Sequence, residues 1–187
     1  DLRGAPAMLM ARGELVASEI ALRRGRTTPA RAALTRARAA ADRSGIEPLR
    51  AEVERAEQTL ALPAARLIAG GKERPLVLAE VETVLASRHL IVDACRRAAR
   101  RERHEVRLAR RPVLFGLLRS LAEAWPGEAT RELLCERVFR TRHPNESHRA
   151  RLRVELGRLR KELRLLADIR AMPRGFISGP PRRGPSS

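Results

Sequence analysis

The stretch HRARLRVELGRLRKEL, residues 148–163, indicates how the second half of this chain folds. A helical step of 100° per residue places five leucines in one narrow sector: Leu152, Leu156, Leu159, Leu163 and Leu166. The stretch also contains six cations, which fall on the flanks and on the opposite side. We predict one helix over residues 148–166 that buries its leucines and presents a basic face to an anionic partner or to water.

A leucine zipper is the alternative, because leucines spaced four, three, four and three residues apart also fit the a and d positions of a coiled coil. A convincing coiled coil needs about three or four heptads. This seam covers about two heptads, and Pro144 and Pro173 bound it. We therefore favour a helix that packs within its own small domain.

The composition is strongly basic. The formal net charge is +17 and the isoelectric point is about 11.7, which favours nucleic acid or an anionic membrane surface as a partner. Lysine occurs only at Lys72 and Lys161, and a GC-rich coding sequence produces the same arginine bias without any function. Since there is no run of about 18 apolar residues and no signal-peptide pattern, we expect no membrane span and a cytoplasmic location. The chain begins at Asp1, and we expect it to be part of a longer protein.

The sequence contains no catalytic motif. There is no HExxH pair, nucleophile elbow or P-loop, and the four histidines are scattered. Cys95 and Cys135 lie far apart without metal-ligand spacing, and we predict both to be small buried hydrophobes. We predict no enzyme, no cofactor and no metal site.

Residues 1–62 have a helical pattern. We predict helices over residues 8–24, 28–44 and 47–60, with Thr28 as the N-cap before Pro29. Small residues dominate the second helix and allow close packing: Ala30, Ala32, Ala33, Ala37, Ala39 and Ala40. This segment resembles tetratricopeptide (TPR)-like repeats over about one and a half units. An ordinary bundle or a dimerisation hairpin remains the alternative.

Short apolar runs follow from residue 63. They predict strands over residues 65–70, 74–78, 89–93 and 104–108, with turns at Gly70-Gly71 and in the basic stretch RRAARRER, residues 96–103. Residues 78–87 predict a short helix between two of these strands.

Helical patterns return at Pro112. We predict helices over residues 111–125 and 128–139, the second with Thr130 as N-cap and Leu133, Leu134, Val138 and Phe139 facing inward. Next comes the loop Arg140 to Ser147, followed by the basic helix. A hairpin follows over residues 168–178, with Arg174 at its turn. We expect residues 179–187 to be a disordered tail.

Strands, three helices and a basic hairpin follow one another in the order of a winged helix. The motif VELGRLRKEL, residues 154–163, together with Gly175-Phe176 at the close of the wing, resembles the C-terminal effector domain of the OmpR/PhoB response regulators. The resemblance covers residues 88–178 of a predicted domain spanning residues 63–178. The expected fold class is mainly α with small β-sheets: an N-terminal helical, TPR-like segment and a C-terminal winged helix-turn-helix domain.

The resemblance implies a set of DNA contacts: Arg151, Arg153, Val154, Gly157, Arg158 and Lys161 on the recognition helix, and Arg174 on the wing. Arg158 is the candidate for guanine recognition, because a guanidinium can pair with O6 and N7 together. The loop Arg140 to Ser147 is the surface that contacts RNA polymerase in that family. Gly157, Glu155 and a wing shorter by about one residue depart from the family pattern and weaken the expected binding.

Two functions follow. The first is a transcriptional regulator that binds duplex DNA, as a homodimer on direct or inverted half-sites. The second is a protein-interaction or scaffold module in which the helical segment binds a partner and the winged helix is a docking surface. The near absence of aromatic residues argues against single-stranded nucleic acid as the target.

Overall fold

The computed structural model describes residues 6–181, and over this range the chain is mainly helical with small antiparallel sheets, as predicted. The helices are α1 (Ala7–Arg23), α2 (Thr27–Ser44), α3 (Glu47–Ala61), α4 (Leu78–Ala86), α5 (Pro112–Ala124), α6 (Arg131–Phe139) and α7 (Glu146–Leu163). The strands are β1 (Pro63–Ala69), β2 (Lys72–Val77), β3 (Ile91–Asp93), β4 (Ala98–Arg101), β5 (His104–Arg107), β6 (Ala129–Thr130), β7 (Asp168–Ala171) and β8 (Gly175–Gly179).

The chain divides into two compact units. The first contains the residues up to Leu67 together with Arg74–Leu85, and the second contains Ile68–Glu73 together with the residues from Ala86 onward. The boundary between the two units does not coincide with Pro63, where the short apolar runs begin in the sequence. The reason is that α4 is hydrogen-bonded to the helical segment before Pro63. The backbone N–H and the hydroxyl of Thr27, at the start of α2, both donate to the Glu82 carboxylate of α4.

Small side chains build the core of the first unit, as the sequence indicates. Five alanines of α2 are at most 2% exposed: Ala30, Ala33, Ala37, Ala40 and Ala41. Ala11 of α1 and Val53 of α3 are fully buried in the same unit. The predicted N-cap at Thr28 is wrong: Arg26 precedes α2 and makes no side-chain cap bond. Thr27 is the first residue of α2, where the backbone N–H has no acceptor within the helix, so it can donate to Glu82.

The second unit contains a three-stranded antiparallel sheet in the order β3-β4-β5. The middle strand, β4, lies within the basic stretch that the sequence analysis treats as a turn, and that interpretation is wrong. Ala99 pairs with Val92 on one side and with Val106 on the other, and these three side chains belong to or pack on the core. Two alanines, Ala98 and Ala99, interrupt the arginines and are buried. They allow this charged stretch to form a strand.

The two cysteines differ in exposure. Cys135 on α6 is buried, as predicted, and burial raises the pKa of its thiol. Cys95 is exposed, so the prediction that it is buried is wrong. It lies in the turn between β3 and β4, where the Arg96 amide donates to the Asp93 carboxylate at 2.9 Å and the backbone leaves the sheet.

Leucines from α5 and α7 form the main core of the second unit. From α5 the core receives Leu114, Leu117, Leu118 and Leu121, and from α7 Leu152, Leu156, Leu159 and Leu163. On α6 only Leu134 of the four predicted inward residues is fully buried, since Leu133, Val138 and Phe139 are half-buried. No helix in residues 6–181 combines the length and the apolar character that a bilayer span needs.

The hairpin at the end of the chain extends into the predicted tail. Gly179 is the last residue of β8 and pairs with Asp168. Residues 182–187 of that predicted tail lie outside the described residues.

Candidate nucleic-acid interface

The basic helix α7 begins two residues earlier and ends three residues earlier than predicted. Asn145 is its N-cap, and its side-chain oxygen accepts a hydrogen bond from the backbone N–H of His148 at 3.1 Å. In return, the His148 ring accepts one from the backbone N–H of Asn145, which completes a capping box. An asparagine cap removes an unsatisfied N–H and is typically worth about 1 kcal/mol. Leu166 is buried, although it lies in the turn after the helix.

The two faces of α7 differ sharply in exposure, as the helical wheel predicts. The leucine seam, defined as Leu152, Leu156, Leu159, Leu163 and Leu166, is at most 2% exposed. The opposite face, which we call the outer face of α7, carries Ala150, Val154, Gly157 and Lys161. Val154 is 55% exposed, and a methyl group added at Gly157 meets nothing within 4 Å.

The six predicted contact residues on α7 are therefore available to a ligand. Arg151, Arg153, Val154, Arg158 and Lys161 are exposed and Gly157 is half-buried. Arg158 and Lys161 line one groove together with Arg111 at the start of α5. Glu155 and Glu162 line the same groove and accept hydrogen bonds from Arg158 and Arg111.

Carboxylates on α7 engage several of its arginines. Arg158 donates to Glu155 at 2.9 Å, and Arg153 donates to Glu146 at 3.1 Å. Only 12% of the Glu155 side chain is exposed, so this carboxylate lies toward the buried side of the helix. Such a flanking carboxylate orients the guanidinium of Arg158 and lowers the net charge next to it.

Arg151 is held against the end of α6. Its guanidinium lies 4.7 Å from the centre of the Phe139 ring, a separation at which a cation and an aromatic face attract each other. The His148 ring lies 6.2 Å from the same phenyl ring. The start of α7 and the end of α6 therefore pack through side chains across the predicted loop, which the earlier start of α7 shortens to residues 140–145.

The hairpin β7-β8 gains a third strand that the sequence analysis missed. Ala129 and Thr130 form β6, which pairs with Phe176 and Gly175, so that the sheet order is β6-β8-β7. A Cβ atom at Gly175 would lie 1.9 Å from the carbonyl oxygen of Ala129. Only glycine allows this approach, because the neighbouring atom belongs to the backbone. Thr130 is also the predicted N-cap of α6 and accepts from the Leu133 amide at 3.2 Å.

Arg131, the first residue of α6, connects this helix to the turn of the hairpin. Its guanidinium donates to the carbonyl of Pro173 at 2.7 Å and to that of Met172 at 3.1 Å. Its backbone amide donates to the carbonyl of Arg174 at 3.3 Å. The exposed side chain of Arg174 thus projects from a turn that Arg131 holds at three carbonyls.

Phe176 strengthens the same connection. The guanidinium of Arg131 lies 5.3 Å from its ring centre and that of Arg160 lies 5.8 Å away. Arg160 also donates to the carbonyl of Ile169 in β7 at 2.9 Å, so this cation of α7 fastens the hairpin and does not belong to the outer face.

Sequence reasoning missed Arg131, Arg160 and Asn145. Asn145 had a local signal, because asparagine directly before a helical run is a preferred N-cap. Arg131 had none, since its carbonyl partners lie 41 and 42 residues further along the chain.

Within the described residues, no group of three or more His, Cys, Asp or Glu side chains is arranged to hold a metal ion. Comparisons with models of protein families, with curated proteins and with solved structures give no match for this chain.

Proposed function

We propose that the second unit binds duplex DNA as a winged helix-turn-helix domain of a transcriptional regulator. The observation that carries the proposal is the outer face of α7: it is open to solvent along the helix, directly opposite a leucine seam that is entirely buried. A helix about 10 to 12 Å in diameter fits the major groove of B-DNA, which is about 12 Å wide.

The order of elements supports the winged-helix interpretation. A three-stranded sheet precedes α5, α6 and α7, and the hairpin β7-β8 follows them with Arg174 at its turn. In such a domain the second helix of the pair enters the groove, and a wing contacts phosphates or the neighbouring minor groove. The helices of the first unit are proposed to form a TPR-like segment.

The residues of the outer face and of its flank, Arg151 and Arg158, suit different parts of the duplex. Arg158 is proposed to pair with guanine after exchanging Glu155 for the base edge, and Val154 is proposed to contact a thymine methyl group. Lys161 and Arg151 are proposed to bind phosphates. The small side chains Ala150 and Gly157 let the helix backbone approach the floor of the groove.

The test is selection from a randomised duplex library, followed by sequencing of the retained DNA, at low and at near-physiological salt. A regulator yields a motif at both salt concentrations. Retention that disappears at the higher salt concentration and yields no motif contradicts the proposal, because it reflects only the attraction of a basic surface to phosphate.

Two arginine variants sharpen this experiment. Arg158→Ala is expected to lose about 1 to 3 kcal/mol of discrimination at one base position. Arg119→Ala is the matched control: Arg119 lies on α5, is 56% exposed where Arg158 is 62% exposed, and also pairs with a glutamate. Both variants remove one positive charge, so a change of motif confined to Arg158→Ala assigns the effect to base contact.

A regulator of this kind has protein partners as well. The loop at residues 140–145, with Arg140 in the left-handed conformation at the end of α6, is proposed to contact RNA polymerase. The second function, a protein-interaction module, is favoured by apolar side chains that α1 exposes in the first unit. If no DNA motif is recovered, that surface is the one to pursue.

A further inference from the structure

Helix α1 has one buried side and, opposite it, an exposed apolar side. Ala11 and Ser18 are buried within the first unit. On the opposite side Leu9, Val16 and Ile20 are 48%, 55% and 46% exposed. With Gly13 they follow one another four, three and four residues apart, which is the spacing of a helix-pairing seam. We call this set, Leu9, Gly13, Val16 and Ile20, the α1 seam.

We propose that the α1 seam binds the α1 seam of a second copy of this chain, with the two helices antiparallel around a twofold axis. A surface that pairs with itself through a twofold axis is the commonest arrangement in homodimers. This surface would join the homodimer that the sequence analysis expects for a regulator binding two half-sites. It does not depend on DNA binding, because all of its residues lie in the first unit.

The spacing of the seam fits this arrangement in one register. When the axis passes between residues 15 and 16, residue 12 of one copy lies level with residue 19 of the other. Ile20 of the second copy then falls midway between Leu9 and Gly13 of the first, about 3 Å along the axis from each. The two Val16 side chains meet near the axis, and each glycine leaves space beside the valine of the other copy.

Charge selects the same register and the antiparallel direction. Arg12 and Glu19 lie on one flank of the seam, and both are exposed. A twofold axis across antiparallel helices keeps this flank of both copies on one side, so that two Arg12–Glu19 pairs form. In a parallel pair Arg12 would instead lie against Met10 and Ala17 of the other copy, neither of which is charged. Within each copy Glu19 already accepts from Arg23 at 2.5 Å, which keeps its carboxylate at this flank.

The size of the contact predicts a weak and reversible dimer. One helix of 17 residues from each copy gives an interface near the lower bound of a specific one, about 1,000 Å² in total. The fraction of dimer should therefore depend on protein concentration over the micromolar range. DNA that carries two half-sites would strengthen the dimer by holding both copies together.

The test is sedimentation equilibrium of the purified chain without DNA, over micromolar to several hundred micromolar concentrations. The expected result is a monomer–dimer equilibrium whose dissociation constant increases about tenfold or more in Val16→Asp, because a charge is placed at the axis. Thr35→Asp, at an exposed position of α2, is the matched control and should leave the constant unchanged. Since both positions are exposed, far-ultraviolet circular dichroism should show unchanged helix content.

Charge reversal tests the register. Arg12→Glu alone and Glu19→Arg alone should each weaken the dimer, and the two together should restore it. A wild-type chain that stays monomeric throughout, a dimer that Val16→Asp leaves intact, or a double reversal that restores nothing would each overturn the inference. Because no DNA is present, these outcomes do not depend on whether the chain binds DNA.

Discussion

Leu159→Ala tests the assignment of the two faces of α7. Leu159 is fully buried in the leucine core of the second unit. The substitution removes three carbon atoms, which at about 0.8 kcal/mol for each buried CH₂ group costs about 2.4 kcal/mol. The cavity left among the rigid neighbours raises the expected loss in the free energy of unfolding to about 3 to 5 kcal/mol.

Urea denaturation followed by tryptophan fluorescence measures this loss. Trp125 is the only tryptophan of the chain and follows α5 directly, so its emission reports the second unit alone. With a urea dependence of about 1.5 kcal/mol per molar, the transition midpoint should fall by about 2 M or more.

Val154→Ala is the matched control for Leu159→Ala. It lies on the same helix but is 55% exposed, so its free energy of unfolding should change by about 0.5 kcal/mol or less. If Leu159→Ala kept the wild-type midpoint, or if the two variants lost equal stability, the leucine seam would not be the buried face. The outer face of α7 would then be wrongly assigned as well.

Three further predictions concern the surroundings of α7. Gly175→Ala should unfold at lower urea concentration, because its methyl group would meet the backbone of β6, whereas Gly157→Ala should stabilise by up to about 1 kcal/mol through helix propensity alone. Arg131→Met should raise amide hydrogen exchange at Gly175 and Phe176 in nuclear magnetic resonance, since the turn loses its guanidinium bonds; unchanged exchange would exclude a positioning role. Burial raises the pKa of Glu123, but hydrogen bonds from two arginines lower it by more, so its pKa lies below that of a free glutamate; Glu123→Gln should lower stability at pH 7, and the difference from wild type should be lost as the pH falls through the lowered pKa of the folded state.

Local periodicity predicted the helices and the buried face of α7. The leucine spacing, the turn glycines and the prolines act within a few residues of where they stand, so the sequence alone could place α1 to α7 to within about three residues. The exposed positions on α7 followed from the same geometry. The Thr130 cap was predictable for the same reason, because its side chain binds an amide only three residues away.

Strands within charged or short segments could not be predicted in this way. β4 lies inside an arginine run, and β6 has only two residues, too few for an alternating pattern. Both exist because a partner strand supplies their hydrogen bonds: β4 lies between β3 and β5, and β6 pairs with the more distant β8. The exposure of Cys95 likewise depends on where the turn after β3 leaves the sheet.

The sequence by itself determined the order of α5, α6, α7 and the hairpin β7-β8, the buried leucine seam and the exposed face opposite it, because each depends on the spacing of residues along one helix or hairpin. Only the tertiary structure decided which arginines serve as structural ties. Arg131 and Arg160 fasten the hairpin by donating to carbonyl groups outside their own helices, whereas Lys161 stays on the outer face. A guanidinium has the same charge in every role, and its role depends on which carbonyls and carboxylates folding brings within hydrogen-bond distance.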